Sequence, residues 1–526
     1  VAGTERFDVA IVGSGFSGSL LARILARSGW RVLLVDRARH PRFALGESTT
    51  PLANLALERI GRDHGLPELG RLATYGRWLA AYPAVRRGLK RGFSFYLQQP
   101  GIEWRPGPER RLLVAASPAD RVADTHWLRA DVDALFARLA VEDGVELREG
   151  TVVEAVAGGG EGSRLALAGE EGAYAIAAPL VVDASGPAGV VARRLGAAPG
   201  RRLETSSALV FGHFRGVGEL AGALRPGDSL TDAPYPEDRA AVHHLLEEGW
   251  MYLLAFDHGV TSAGLLLEPG AARSSGAAPA ALWSGVVGRY PTLARLFETA
   301  EVERPIGYVP RLQHRLTRAW GPGWVAMPHT YGFVDPLFSV GIAWSLRAVE
   351  RLAEILVESG PGRPAVASGE AFARYGGLLA AEIEQIDRLV ATAYRARRRF
   401  GYFTAHSLLY FAWVSFAESF ERLGRPERPW WRGFLGTGEA RVEALVAESA
   451  RRIAAAGDRA EESDDYRRWV VESIEPFDVA GLGAPERRNL YPVDLADLER
   501  SAGKLGLDAA RLEAGLARLR AELQGP

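Results

Sequence analysis

The chain has 526 residues, 63 Lys+Arg against 64 Asp+Glu, a formal net charge of −1, no cysteine and 47% hydrophobic residues. The absence of cysteine excludes disulfides, thiolate nucleophiles, iron–sulfur clusters and Cys-ligated zinc, and the balanced charge offers no overall basic field for nucleic acid. Only two of the 63 basic residues are lysine, Lys90 and Lys504; this is the pattern of a GC-rich coding sequence, in which Lys drifts to Arg wherever chemistry permits. The length suggests two or three domains. The most apolar late stretch, 408–416, is too short to span a bilayer, so no stable membrane insertion is expected. No secretory signal opens the sequence, and a cytoplasmic location is expected.

The chain opens on a run, Phe7-Asp8-Val9-Ala10-Ile11-Val12, that reads as a buried parallel strand. Gly13-Ser14-Gly15-Phe16-Ser17-Gly18 follows at once, then a helical pattern stopped at Gly29, then a second strand over 31–35 ending in Asp36. Gly13 allows a tight turn, Gly15 lets the backbone approach a pyrophosphate, and Gly18 lets the helix pack close to the strand. The helix start, with Ser17, faces the phosphates, and Asp36 is placed to accept hydrogen bonds from ribose hydroxyls. This order of elements predicts a dinucleotide site for FAD or NAD; a Gly-rich turn in a generic α/β unit is the plainer alternative.

Further segments follow in order. Gly46-Glu47-Ser48-Thr49-Thr50-Pro51 reads as a helix start with Thr50 at the cap. Lys90-Arg91-Gly92-Phe93-Ser94-Phe95 lies in a basic run with Arg86 and Arg87, where a solvated lysine is the ordinary reading. Trp127-Leu128-Arg129-Ala130-Asp131-Val132-Asp133 puts Arg129 and Asp133 one helical turn apart, a spacing that an ordinary surface ion pair also explains. Residues 180–183 read as a strand ending in Asp183-Ala184-Ser185-Gly186. A Gly- and Pro-containing loop, Gly332-Phe333-Val334-Asp335-Pro336-Leu337-Phe338-Ser339-Val340-Gly341, precedes a helix.

Together these segments resemble the flavin-dependent halogenases of the tryptophan halogenase superfamily, in the phenol- and pyrrole-type branch. G-E-S at 46–48, K-x-G-x-x-F at 90–95, R-x-x-x-D at 129–133, D-x-x-G at 183–186 and F-x-x-P-x-x-S-x-G at 333–341 carry the resemblance. It implies an α/β fold: an FAD-binding Rossmann-like domain (1–200 and 321–360), an inserted substrate-binding β-sheet (201–320) and a helical C-terminal region (361–526). It implies FAD contacts at Gly13, Gly15, Ser17, Gly18, Asp36, Glu47, Ser48, Arg129, Asp183, His329, Gly332 and Pro336. Halide, chloride or bromide, is implied at Ser339, Val340 and Gly341, and a substrate pocket at Phe95, Trp250 and Phe338.

The same resemblance makes Lys90 the catalytic residue. Reduced flavin and oxygen give a flavin hydroperoxide, halide attacks it, and the hypohalous acid formed must reach the substrate without escaping. A buried lysine can hold that oxidant by a hydrogen bond or as a haloamine, whereas arginine stays protonated and spreads its charge. The expected partners are a separate flavin reductase and a small electron-rich aromatic, free or tethered to a carrier protein.

Two departures stand out. The W-x-W-x-I-P segment of the family reads Trp250-Met251-Tyr252-Leu253-Leu254-Ala255 here, a change that favours the alternative of an FAD-dependent monooxygenase that does not use halide. A half-buried strand face explains Trp250 and Tyr252 equally well. Pro328-His329 also replaces the usual Gly-Asp before the last flavin loop, and this leaves a redox-inactive flavoprotein scaffold as a third reading. Phe338 stands where tryptophan halogenases carry a glutamate, so a self-activated phenol or pyrrole is the expected substrate. The turn at 157–162 reads as a flexible hairpin and the arginines at 395–399 as a solvated helix face.

Overall fold

The computed structural model describes residues 4–159, 162–170, 172–224, 227–273, 278–361, 369–456 and 463–524. Strands Val9–Val12 (β1) and Val32–Val35 (β2) flank helix Phe16–Arg27 (α1). Each strand is a run of four apolar residues buried along its length, as a parallel sheet covered on both faces requires. Then come Pro51–Asp63 (α2), Arg87–Lys90 (β3), Gly92–Leu97 (β4), Arg111–Ala115 (β5), Asp124–Trp127 (β6), Arg129–Glu142 (α3) and Leu180–Asp183 (β7). Pro51 opens α2 as expected, but Thr50 makes no side-chain capping bond.

β1 and β2 lie inside a six-stranded sheet in the order 320–321, 324–326, β7, β1, β2, 146–148. Its neighbours are parallel except the outermost pair. The hairpin expected at 157–162 has its tip, Gly160 and Glu161, outside the described residues; the flanking strands pair antiparallel with Gly159 opposite Gly162.

The second large sheet is built from Ala208–Arg215 (β8), Ala241–Leu245 (β9), Gly249–Ala255 (β10) and Val260–Leu267 (β11), extended by β4, β5 and 490–491. The sheet expected from 201–320 therefore also takes strands from far earlier and far later in the chain. Three short helices, Pro269–Arg273, Pro279–Val287 and Pro291–Leu296, also lie in that span, and Leu282, Trp283 and Leu293 of the last two pack with Phe214 and Met251.

Helices Gly341–Ser359 (α4), Gly369–Ala396 (α5), Phe400–Gly424 (α6) and Ala509–Gln524 (α7) carry most of the C-terminal region. Aromatic side chains of α6 cover the near face of β4: Phe411 meets Phe93 edge-on at 5.3 Å, and Phe403 meets Phe95 at 5.3 Å. No helix among the described residues is long and apolar enough to cross a membrane.

Two basic runs are less solvated than their composition suggests. Arg87 and Lys90 are buried, and Arg397 packs inward to donate to the carbonyl of Glu247 and pair with Glu268 at 2.6 Å. β3 is buried along its whole length and the carbonyl of Glu247 draws Arg397 inward, so tertiary packing decides these positions, not the local charge density.

A buried charge network fastens α2 to the C-terminal helices. Arg59 on α2 bonds Glu350 of α4 at 2.7 Å and Glu421 of α6 at 2.7 Å, and Arg347 also pairs with Glu421. Removing one partner of a buried pair leaves the other charges uncompensated, at a cost of about 3–5 kcal/mol. Arg59→Leu is expected to lower the unfolding free energy by that order while Arg62→Leu, at an exposed pair with Asp63, leaves it nearly unchanged; equilibrium urea denaturation followed by tryptophan fluorescence checks this.

Candidate active site

The glycines of the first turn are glycines for two different reasons. Gly13 sits at φ +113°, and a Cβ there would overlap the carbonyl of Ala184; a Cβ on Gly18 would overlap the carbonyl of Gly13. Those two are fixed by packing of the protein against itself. Gly15 has ordinary extended backbone, φ −66°, and a Cβ there would meet nothing closer than the guanidinium nitrogens of Arg129 and Arg42, each at 3.6 Å. The start of α1, with Ser17 in its first turn, thus opens beside two guanidinium groups. That space suits a pyrophosphate.

Arg129 and Asp133 form a buried pair at 2.8 Å rather than a surface one, and Arg129 also donates to the carbonyl of Leu45 at 2.6 Å. Asp36 accepts from Ser14 N, Ser14 Oγ and Ala38 N at 2.8–2.9 Å and pairs with Arg42 at 3.3 Å. Burial alone would raise its pKa; Arg42 and these hydrogen bonds outweigh that and hold the carboxyl below its usual value. Arg42 lies in an irregular loop, where no periodicity marks it.

Asp183 ends β7 with its carboxylate spent on its own chain: Ser185 N and Oγ at 3.1 and 2.5 Å, Val191 N and Ala192 N at 2.8 Å. It shapes the turn that meets Thr330, which accepts from Gly186 N at 3.0 Å. Beside that turn His329 points its ring at the start of α4, where a Cβ on Gly341 would lie 2.9 Å from Nε2. That nitrogen is buried without a hydrogen-bond partner, and burial with nearby Arg129 and His314 pulls the ring pKa down to about 3. A neutral imidazole with an orphan nitrogen in this position fits a bound group. Gly332 is glycine because a Cβ there would strike Ile383 of α5.

The loop 332–341 meets the 46–51 segment directly. Ser339 Oγ donates to Ser48 Oγ at 3.1 Å, and Ser339 N donates to the carbonyl of Pro336 at 2.9 Å. Ser339 holds φ +53°, a left-handed conformation costly for a non-glycine residue. Val340 and Gly341 then open α4. Glu47, buried, receives His213 Nε2 of β8 at 3.1 Å, so the second large sheet touches this segment as well.

Lys90 ends β3 opposite Asp124 of β6, fully buried. Its Nζ donates to the carbonyl of Thr49 at 2.5 Å and lies 4.0 Å above the ring of Phe93. Burial lowers its pKa to about 8, with the nearby Asp124 resisting; burial raises that acid to about 7 despite Lys90. Phe93 and Asp124, beside the lysine, line with Thr50 and Val340 a chamber of about 210 Å3. Tyr410 and Phe411 of α6, Leu435, Leu482, Tyr491 and Leu519 of α7 form its other walls. Sequence reading missed these, because the C-terminal walls come together only by folding.

The three residues expected in the substrate pocket stand behind its wall. Phe95 stacks on His243 at 4.4 Å in the core, and Phe93, two residues earlier, faces the chamber instead. Phe338 stacks on Tyr410 at 4.4 Å, and the Tyr410 hydroxyl donates to its carbonyl at 2.8 Å. Trp250 is on a strand buried on both faces, not half-buried, and its Nε1 donates to Tyr394 OH at 2.8 Å, which donates to Asp335 at 2.7 Å. Among the described residues no group of three or more His, Asp or Glu is arranged to hold a metal ion.

A family model described as tryptophan halogenase matches residues 125–404, more than half of the chain, and one described as FAD binding domain matches residues 6–212. The chain belongs to the tryptophan halogenase family. Its relatives include tetracycline 7-halogenase of Kitasatospora aureofaciens, 32% identical over 375 residues that cover 68% of this chain and 66% of that protein. Monodechloroaminopyrrolnitrin halogenase PrnC of Pseudomonas fluorescens is 28% identical, over 68% of this chain and 62% of that protein. This halogenase-family chain therefore aligns with less than two thirds of the length of those relatives. Its fold is that of halogenase PltM, solved in complex with phloroglucinol and FAD: TM-score 0.82 at 24% identity, covering 92% of this chain and 99% of that one. The FAD-binding domain at the N-terminus and the cradle at Gly15 agree in cofactor.

Two outcomes follow from this geometry. Gly15→Ala keeps allowed backbone and meets only ordinary contacts, so the FAD-free protein is expected to be no less stable, while FAD affinity in a fluorescence titration falls at least tenfold; Gly18→Ala, which forces backbone apart, is expected to lower stability instead. With two lysines in the chain, a 13C-lysine spectrum resolves each. One resonance is expected to titrate near pH 8, and Asp124→Asn, which removes a favourable negative charge, moves that midpoint lower.

Proposed function

We propose that the chain is a flavin-dependent halogenase acting on an electron-rich, phenol- or pyrrole-like aromatic. The observation that carries this reading is Lys90: a fully buried amine hydrogen-bonded to the 46–51 segment at Thr49 and packed on Phe93, which lines the aromatic-walled chamber. Reduced FAD, renewed by a separate reductase, supplies the electrons that activate oxygen and, with halide, yield hypohalous acid.

The residues of this chain divide the remaining work. The start of α1 with Arg42 and Arg129 would hold the pyrophosphate, and Asp36 the adenosine ribose. Glu47, Ser48, His329 and the backbone from Gly332 to Pro336 would border the flavin ring, with Asp183 shaping the turn beneath. Ser339, Val340 and Gly341 at the start of α4 would receive halide, where the N-terminal end of a helix favours an anion. Lys90, behind the part of the chamber wall that Phe93 and Asp124 form, would hold the oxidant next to the chamber, and the burial that lowers its pKa lets it exchange a proton near neutral pH.

The relatives support the substrate class. Their names specify tetracycline, monodechloroaminopyrrolnitrin and, for a brominase of Pseudoalteromonas luteoviolacea 24% identical to this chain, a pyrrole-2-carbonyl group on a peptidyl-carrier protein. A carrier-tethered substrate is therefore tested beside free ones.

The test supplies reduced FAD, oxygen and bromide or chloride with phenols, free pyrroles and a carrier-bound pyrrole, and reads the halogen isotope pattern by mass spectrometry. The wild type is expected to halogenate, and Lys90→Ala and Lys90→Arg are each expected to lose at least about a hundredfold in rate. Hydroxylation that ignores halide would establish the monooxygenase alternative; undiminished halogenation in Lys90→Ala would remove the lysine from the chemistry.

A further inference from the structure

We propose that Asp124 is the base of the reaction, accepting the hydroxyl proton of a phenolic substrate bound in the chamber. The proposal rests on the halogenase reading above and extends it to a residue that no sequence pattern marks.

Asp124 lies directly across the β3–β6 pairing from Lys90 and lines the chamber, whereas Lys90 itself does not border that space. It is 2% exposed. Asn54 of α2 donates to Oδ1 at 2.7 Å, and Oδ2 is buried with no hydrogen-bond partner. A buried carboxylate oxygen left unpaired costs free energy, and such groups are retained where chemistry uses them. The chamber's glutamates are tied up: Glu58 with Arg77 at 2.6 Å, Glu418 with Arg422 at 3.1 Å, Glu522 with Arg422 at 3.4 Å. Asp335 on the neighbouring loop is likewise engaged by Tyr394 and Leu337 N. Asp124 is left with one oxygen fixed by an amide and the other free beside an apolar wall.

The charged groups around it are Lys90 from β3 and Glu418 and Arg422 from α6; Tyr410, also from α6, has its hydroxyl engaged by Phe338. Burial raises Asp124 to about 7, which suits a group that takes and returns a proton near neutrality.

The step balances as follows. A ring carbon attacks the halogen of hypohalous acid held at Lys90; the carbon–halogen bond forms, the halogen–oxygen bond breaks, and the electron pair leaves with hydroxide. The halogen is reduced and the ring oxidised. As the ring gives up density, the substrate O–H bond breaks and Oδ2 of Asp124 takes the proton. The carboxylic acid then protonates the hydroxide to water, and the halogenated dienone shifts its ring proton to oxygen to give the halophenol.

The test compares a resorcinol with its dimethyl ether, which has no hydroxyl proton, in the wild type and Asp124→Asn. Resorcinol turnover in Asp124→Asn is expected to fall about 10²–10⁴-fold, toward the rate of the ether, while ether turnover, compared at pH values matched to the Lys90 midpoint of each protein, falls at least about tenfold less. Equal loss on both substrates would show that Asp124 acts only through Lys90 or the fold, and equal retention would show that it does nothing; either overturns the proposal.

Resorcinol binding, measured by calorimetry without reduced flavin, reads Asp124 independently of turnover. A carboxylate accepts the hydroxyl and its acid form does so poorly, so affinity is expected to rise several-fold as pH increases through about 7 and to lose that dependence in Asp124→Asn. Affinity flat with pH in the wild type, or the same dependence in the variant, overturns the assignment. A wild type that binds with this dependence but never halogenates would sink the proposed function and leave Asp124 as a phenol-binding carboxylate.

Discussion

Burying one amine is the constraint around which the centre of this protein is arranged. A lysine taken out of water loses solvation that neighbours must replace, and here the neighbours come from three segments outside its own strand. The carbonyl of Thr49 accepts its hydrogen bond, Phe93 offers a ring face, Asp124 offers a negative charge, and the β3–β6 pairing holds all of them in register. The compensation is incomplete, since the pKa remains depressed to about 8. That imbalance leaves the proton held less tightly than on a lysine in water.

The surroundings of that lysine are made by domains that share strands rather than abut. β4 belongs to the early third of the chain yet sits mid-sheet among strands from 208 to 267, and its aromatic face is closed by α6. The chamber is consequently walled by the FAD-binding segment, the sheet and the C-terminal helices together. The Arg59–Glu350–Glu421–Arg347 network performs the fastening where apolar packing alone would permit sliding. Buried ion pairs add less to net stability than their Coulomb energy suggests, but they fix geometry sharply, since any displacement strands a charge.

The sequence was most legible where backbone geometry leaves a local mark. Strand, glycine turn and helix at 9–27 could be read from periodicity, and the two self-packed glycines are dictated within a few residues of themselves. Side chains that reach the site across the fold left no such mark. Arg42 stands in an irregular loop, Asp124 is one acid at the start of a short strand, and Tyr410 belongs to an apolar run that served only as evidence against a membrane span. The resemblance pointed to Phe95, but Phe93 and Phe95 share a face of β4, and which of them meets the chamber depends on where α6 crosses, which no local pattern encodes.

The altered segment at 250–255 takes on a different meaning in this setting. Trp250 does not wall the chamber; it donates to Tyr394, which donates to Asp335, and Asp335 also takes the amide of Leu337. The indole therefore steadies the loop that carries Ser339, at the far end of a chain of hydrogen bonds across three elements. Tyr252 lies over Gly264 of the adjacent strand, where the absent Cβ makes room for its ring. The strand is buried on both faces, so its side chains answer to packing and to that relay. Keeping the first tryptophan preserves the relay, and a change at the second position alters packing between strands without touching the loop. In physical terms the departure from the usual pattern leaves the support of the 332–341 loop intact.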